Sequence, residues 1–142
     1  MHHFFIALVL FFFSCSSGKV TVYNQTLNEK FLASAHVKTP DPRQIPFEGQ
    51  RLVVRTQMTQ HEFKGHTYIA KVYVQFGNRT QKVYSFELKK PSTDHMITLI
   101  GQEYQKKKGI ATYKVELYKD GVLEEVFEHQ LWCELIDMSE VH

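Results

Sequence analysis

Between Tyr68 and Phe76 the chain alternates without a break. Tyr68, Ala70, Val72, Val74 and Phe76 fall on one side, and Ile69, Lys71, Tyr73 and Gln75 on the other. A period of two marks a strand with one face buried. The pattern recurs from Ala111 to Tyr118, predicting Ala111, Tyr113, Val115 and Leu117 inward and Thr112, Lys114, Glu116 and Tyr118 outward. Val83–Leu88 reads as the hairpin return of the first strand, with Tyr84, Phe86 and Leu88 inward and Gly77-Asn78 supplying the left-handed residues of the turn. Lys119-Asp120-Gly121 predicts a second hairpin, returning through Val122–Trp132. The adjacent apolar pairs Val126-Phe127 and Leu131-Trp132 break the parity there and call for a bulge near Glu128. Shorter strand signals lie at Val20–Tyr23, Phe31–Val37, Arg51–Met58 and His95–Ile100, while Pro40, Pro42 and Pro46 interrupt the pattern and Gly101–Lys108 is a polar crossing with room for one helical turn. No segment carries a three-turn amphipathic helix. Short strands joined by Gly, Pro and Asn turns predict an all-β fold, an antiparallel sandwich of about seven or eight strands.

The N-terminus follows another pattern. Phe4 to Phe13 is an unbroken apolar run of ten residues, followed by Ser14-Cys15-Ser16-Ser17-Gly18. A membrane-spanning helix needs about 20 apolar residues. A short run closed by small residues is the pattern of an export leader. The chain thus divides into a leader at 1–14, a segment at 15–30 serving as tether or first strand, and a sandwich domain at 31–142.

Ser14-Cys15, directly after the apolar run, resembles the cleavage point of bacterial lipoprotein signals. That resemblance implies that Cys15 becomes the mature N-terminus and carries a diacylglycerol and a further acyl chain. Ser16, in place of Asp, implies delivery to the outer membrane. An ordinary secretory signal cut near Ser14 or Ser17 is the alternative. The Phe-rich leader, together with the proline-rich stretch leading into Gly49-Gln50-Arg51-Leu52-Val53-Val54, is similar to small uncharacterised membrane lipoproteins of the chlamydial type. Gly109-Ile110-Ala111-Thr112-Tyr113-Lys114-Val115 resembles the tyrosine corner of immunoglobulin-like sandwiches. This implies a buried Tyr113 ring whose hydroxyl bonds to backbone across the corner. It also implies that Val115, with Val53 or Val54, stands where that family has a disulfide.

Composition narrows the partners more than the chemistry. The net charge of +2 gives no general affinity for nucleic acid. Lys106-Lys107-Lys108 is a basic run, and Glu124, Glu125, Glu128, Glu134, Asp137 and Glu140 follow one another without Lys or Arg; both read as solvated segments. Once Cys15 is acylated or removed, Cys133 has no intramolecular partner, and its apolar neighbours predict burial.

No arrangement of residues specifies catalysis. There is no Gly-x-Ser-x-Gly elbow or glycine-rich oxyanion segment. His129 and Cys133 on one strand would stand about 13 Å apart, too far for a nucleophile and its base. Glu124 and Glu125, as sequence neighbours on a strand, should face opposite ways. His61, His66, His95 and Met96 offer an alternative reading as a copper carrier, since histidine and methionine suit that metal, but His61 and His66 lack the i, i+4 spacing of a helical chelate. Asn24-Gln25-Thr26 and Asn78-Arg79-Thr80 fit the glycosylation pattern and matter if the chain is a plainly secreted module.

Tyr73 and Tyr118, on the polar side of their strands beside Lys71 and Lys114, are the best binding candidates. The sequence therefore points to an exported, non-enzymatic protein of the cell envelope. It would be held to the membrane by its N-terminal lipid and would bind another, unidentified envelope protein through its sandwich. No cofactor, metal, nucleic acid or small-molecule substrate is expected.

Overall fold

The computed structural model describes residues 18–28 and 48–133. The expected leader, Cys15, the strand expected at Phe31–Val37, the three prolines and the acidic residues past Cys133 lie outside the described residues.

Among the described residues, seven strands form two antiparallel sheets. β1 (Val20–Leu27), β2 (Gly49–Gln57) and β5 (Ser92–Ile100) make a three-stranded sheet in that order. β3 (Tyr68–Phe76), β4 (Gln81–Glu87), β6 (Ile110–Lys119) and β7 (Val122–Glu128) make a four-stranded sheet ordered β4-β3-β6-β7. This is an antiparallel β-sandwich in which the fourth strand joins the sheet of the third, sixth and seventh. Val20–Leu27 takes the role of first strand rather than tether.

The alternating rows meet as their pattern predicts. Ala70, Val72, Val74, Val115 and Leu117 from one sheet and Leu52 and Val54 from the other are fully buried. Val54 and Val115 lie in one apolar cluster. Val53 lies on the opposite face of β2.

Parity slips where the sheet is bulged. Gln75 pairs with Thr112 and Phe76 with Ile110, leaving Ala111 as an extra residue. Ile110 therefore fills the core and Ala111 is exposed, the reverse of the expectation for Ala111. On β7 the extra residue is Glu124, because Leu117 pairs with Glu125 and Tyr118 with Leu123. The bulge anticipated near Glu128 thus sits four residues earlier, next to the hairpin.

The turns also depart in detail. At the β3–β4 hairpin the left-handed residue is Arg79, with φ 67°, not Gly77 or Asn78. Gly77 is required for a different reason: a side chain there would run into the Lys108 carbonyl. Asp120 and Gly121 both take positive φ, as a two-residue hairpin turn needs. Two short helices complete the fold, α1 (Gln60–Phe63) and α2 (Gly101–Lys107). Among the described residues no helix is long and apolar enough to cross a membrane.

Among the described residues, the links between strands lie at one end or the other. The β2–β3, β4–β5 and β6–β7 connections gather where Gly18 and Lys19 lead into β1, and this is called the near end. The β3–β4 turn, α2 and the segment after β7 occupy the far end.

Candidate functional site

The outer face of the four-stranded sheet brings together all four binding candidates. Register places Tyr73 opposite Lys114, Lys71 opposite Glu116 and Ile69 opposite Tyr118. Diagonal neighbours on such a ladder are within reach of long side chains. The Tyr118 and Tyr73 hydroxyls both donate to Glu116 Oε2, at 2.6 and 3.0 Å. Lys114 Nζ lies 3.3 Å from Glu116 Oε1 and 4.8 Å from the Tyr73 ring centre. Lys71 Nζ lies 4.9 Å above the Tyr118 ring.

Glu116 is the hub of this cluster, and the sequence pattern alone did not single it out. Its side chain retains only 13% of its exposure and that of Lys114 11%. Burial works against the carboxylate's charge, but the hydrogen bonds from Tyr118, Tyr73 and Lys114 together outweigh it and hold its pKa below the usual range. The same bond to Glu116, aided by burial, pushes the Tyr118 hydroxyl above its ordinary pKa. The surface is therefore a set of rings and ammonium groups fixed in place by one ionised carboxylate.

A second residue missed from sequence is Trp132. β7 ends at Glu128, and the chain turns back over the sheet instead of continuing as a strand to Trp132. His129 N–H donates to the Tyr113 carbonyl at 3.0 Å, and Trp132 N–H to the His129 carbonyl at 2.8 Å. Trp132 meets Tyr73 edge-on with ring centres 6.4 Å apart, and Lys114 Nζ lies 5.4 Å from the indole. Gln75 Nε2 donates to the Cys133 carbonyl at 2.7 Å. This return leaves the Cys133 thiol exposed, contrary to the burial expected from its neighbours: Trp132 takes the place on the sheet. His129 and Cys133 consequently share no strand. Around the cluster, Val83, Leu123 and Val126 remain 44–48% exposed.

Tyr113 is 6% exposed and stacks against Phe127 with ring centres 6.3 Å apart. The buried ring expected of a tyrosine corner is present. The hydroxyl's bond to backbone is not found among the described residues.

The residues of the copper reading are scattered. His61 is exposed on α1, and His66 Nδ1 lies 2.6 Å from Asp120 Oδ2. His95 and Met96 are consecutive on β5 and so face opposite ways. His95 stacks on Phe86 at 4.5 Å between the sheets, while Met96 is 57% exposed outside. No group of three or more His, Cys, Asp or Glu among the described residues could hold a metal ion. The Asn78 side chain is engaged in its own turn, accepting from the Thr80 amide and hydroxyl and donating to the Lys106 carbonyl.

At the near end the two glutamates expected to face apart converge. The bulge at Glu124 turns its carboxylate to Lys19 Nζ, 3.0 Å away, while Glu125 accepts the amides of Lys19 and Val20 at 2.9 and 3.2 Å. Glu62 of α1 approaches the same ammonium at 3.3 Å. Hydrogen bonding to Glu124, working against a desolvation cost, raises the Lys19 pKa. A pocket of about 500 Å³ opens beside this cluster, walled by Gly18, Thr21, Gln57, Met58 and Thr59.

The chain matches no known protein-family model, and no curated protein aligns with it significantly.

Proposed function

We propose that this chain is a lipid-anchored, non-enzymatic protein of the cell envelope that binds another envelope protein through the outer face of its four-stranded sheet. The observation that carries the reading is the convergence of Tyr73, Tyr118 and Lys114 on Glu116, with Lys71 over the Tyr118 ring. Buried carboxylates are costly unless fully bonded, and here the bonding presents two tyrosines, two lysines and a tryptophan on a rigid ladder. Interface centres are rich in tyrosine and tryptophan, because such rings give large contact area with little loss of freedom. Val83, Leu123 and Val126 supply apolar ground around them.

Anchoring rests on Cys15 after its apolar run, and the outer membrane is the destination that Ser16 favours.

Photo-crosslinking tests the binding face. A crosslinking residue at Val83 or Val126, in the protein in its native membrane, should capture one defined partner. The same residue at Tyr23, on the outer face of the other sheet, should not. Equal capture at Tyr23, or none at Val83 and Val126, refutes the assignment. Intact mass of the mature protein tests the anchor: acyl chains on Cys15 are expected, and an unmodified chain refutes it.

A further inference from the structure

We infer that the near end of the sandwich is a membrane-facing surface, seated on the phospholipid headgroups of the leaflet that holds the acyl chains. The inference rests on the lipid-anchor reading of Cys15 and adds a fixed orientation to it.

The link is too short to let the domain stand off. Two residues, Ser16 and Ser17, separate Cys15 from Gly18. Fully extended, the three steps from Cys15 to Gly18 span at most about 11 Å. The headgroup layer alone is about 5–8 Å deep on each side of the hydrocarbon. An acylated Cys15 therefore places Gly18 within one short link of the phosphates.

Nor does the chain swivel freely once it reaches the domain. The Gln57 amide donates to the Lys19 carbonyl at 2.8 Å, and Glu125 takes the next two amides. Lys19 Nζ is held between Glu62 and Glu124. Both main chain and side chain of Lys19 are thus bound to three separate elements, β2, α1 and β7. Whatever faces the membrane at Gly18 must include the loops around it.

Those loops carry chemistry suited to headgroups. Their acidic groups are occupied within the protein: Glu62, Glu124 and Glu125 by Lys19 and its neighbour, Asp120 by His66 and the Thr67 amide, Glu87 by Lys89. Lys64 and Lys90 are exposed and form no ion pair among the described residues, leaving their ammonium groups to phosphate. Val122, at the tip of the β6–β7 hairpin, is 70% exposed. Lysines beside an apolar tip are the mixture that interfacial contacts use.

Headgroup quenching tests this in the full acylated protein. With Cys133→Ser as background, an environment-sensitive fluorophore is placed at His61→Cys or Val122→Cys at the near end, and at Gln102→Cys or Gln105→Cys on α2. The protein is reconstituted in phosphatidylglycerol-containing vesicles carrying a headgroup spin label. The near-end labels should be quenched several-fold more than those on α2. The double variant Lys64→Glu, Lys90→Glu should reduce that contrast while leaving the α2 labels unchanged. Equal quenching at both ends of a protein whose mass shows acylation overturns the orientation and leaves the anchor standing. A mature mass without acyl chains overturns both.

Discussion

Trp132 stands edge-on to Tyr73, ring centres 6.4 Å apart and planes inclined by 63°. It is the only tryptophan in the chain, so its fluorescence reports on this corner of the sheet. Tyr73→Ala should shift the emission to the red, because the half-buried indole loses its cover. A partner docking on the face should shift it to the blue. Emission indifferent to Tyr73→Ala would show that Trp132 does not rest on the sheet in solution.

Glu116→Gln tests the hub. The variant keeps the shape but loses the charge that two hydroxyls and an ammonium share. Hydrogen bonds to a charged group contribute about 1.5–3 kcal/mol each, and part of that returns through the amide, so a net loss of about 1–3 kcal/mol is expected. Urea unfolding measures it.

Stability should respond to pH in two separate windows. Burial pushes the His95 imidazole below its ordinary pKa, and its Nε2 has no hydrogen-bond partner among the described residues. The unfolded chain therefore takes up a proton near the ordinary value of about 6.5 that the folded protein resists. Stability should fall as pH drops through that value, and His95→Phe should flatten this first slope. The second window belongs to carboxylates. The Thr59 amide, then its hydroxyl, then Lys19 hold Glu62 down to about 2. Its contribution is present above the ordinary carboxylate range and is lost as pH falls from about 4.3 toward the folded value. Thermal melts between pH 8 and pH 2 separate the two, and Glu62→Gln should diminish only the lower one.

Two glycines distinguish crowding from backbone strain. Gly77→Ala drives a methyl into the Lys108 backbone and should cost about 1–3 kcal/mol, as overpacking does. Gly65 has φ +80° but open space around it, so Gly65→Ala should cost only the left-handed penalty of about 1–2 kcal/mol. Denaturant midpoints of the two variants check the order.

The strand rhythm was legible because burial imposes it directly. Tyr68–Phe76 begins and ends where its alternation does, and Tyr84, Phe86 and Leu88 point inward as read. The adjacent apolar pairs signalled a bulge in the last strand but not its position, and nothing signalled the one at Ala111, because a bulge shifts parity by one residue without any special composition. Ala111 and Glu124 look like ordinary strand members until their partners are known. The site was half legible. Tyr73, Tyr118, Lys71 and Lys114 stood out as rings and lysines on a polar face. Glu116 needed the register between β3 and β6, after which its place among them follows from diagonal spacing. Trp132 and Cys133 depart from the strand pattern because β7 stops at Glu128: an apolar pair reads as more strand in sequence, whereas the chain reverses there and the indole rather than the thiol gains cover.

Three of the four outermost strands carry an ionisable residue in the row that faces the other sheet: Lys82 on β4, opposite Val74; His95 on β5, opposite Val54; and Glu125 on β7, opposite Leu117. A foreign strand added at any of these borders would have to enclose that residue, and native sheets use such placements to discourage polymerisation. Those three borders are thereby guarded against edge-to-edge joining, each by a single ionisable side chain set in an otherwise inward row.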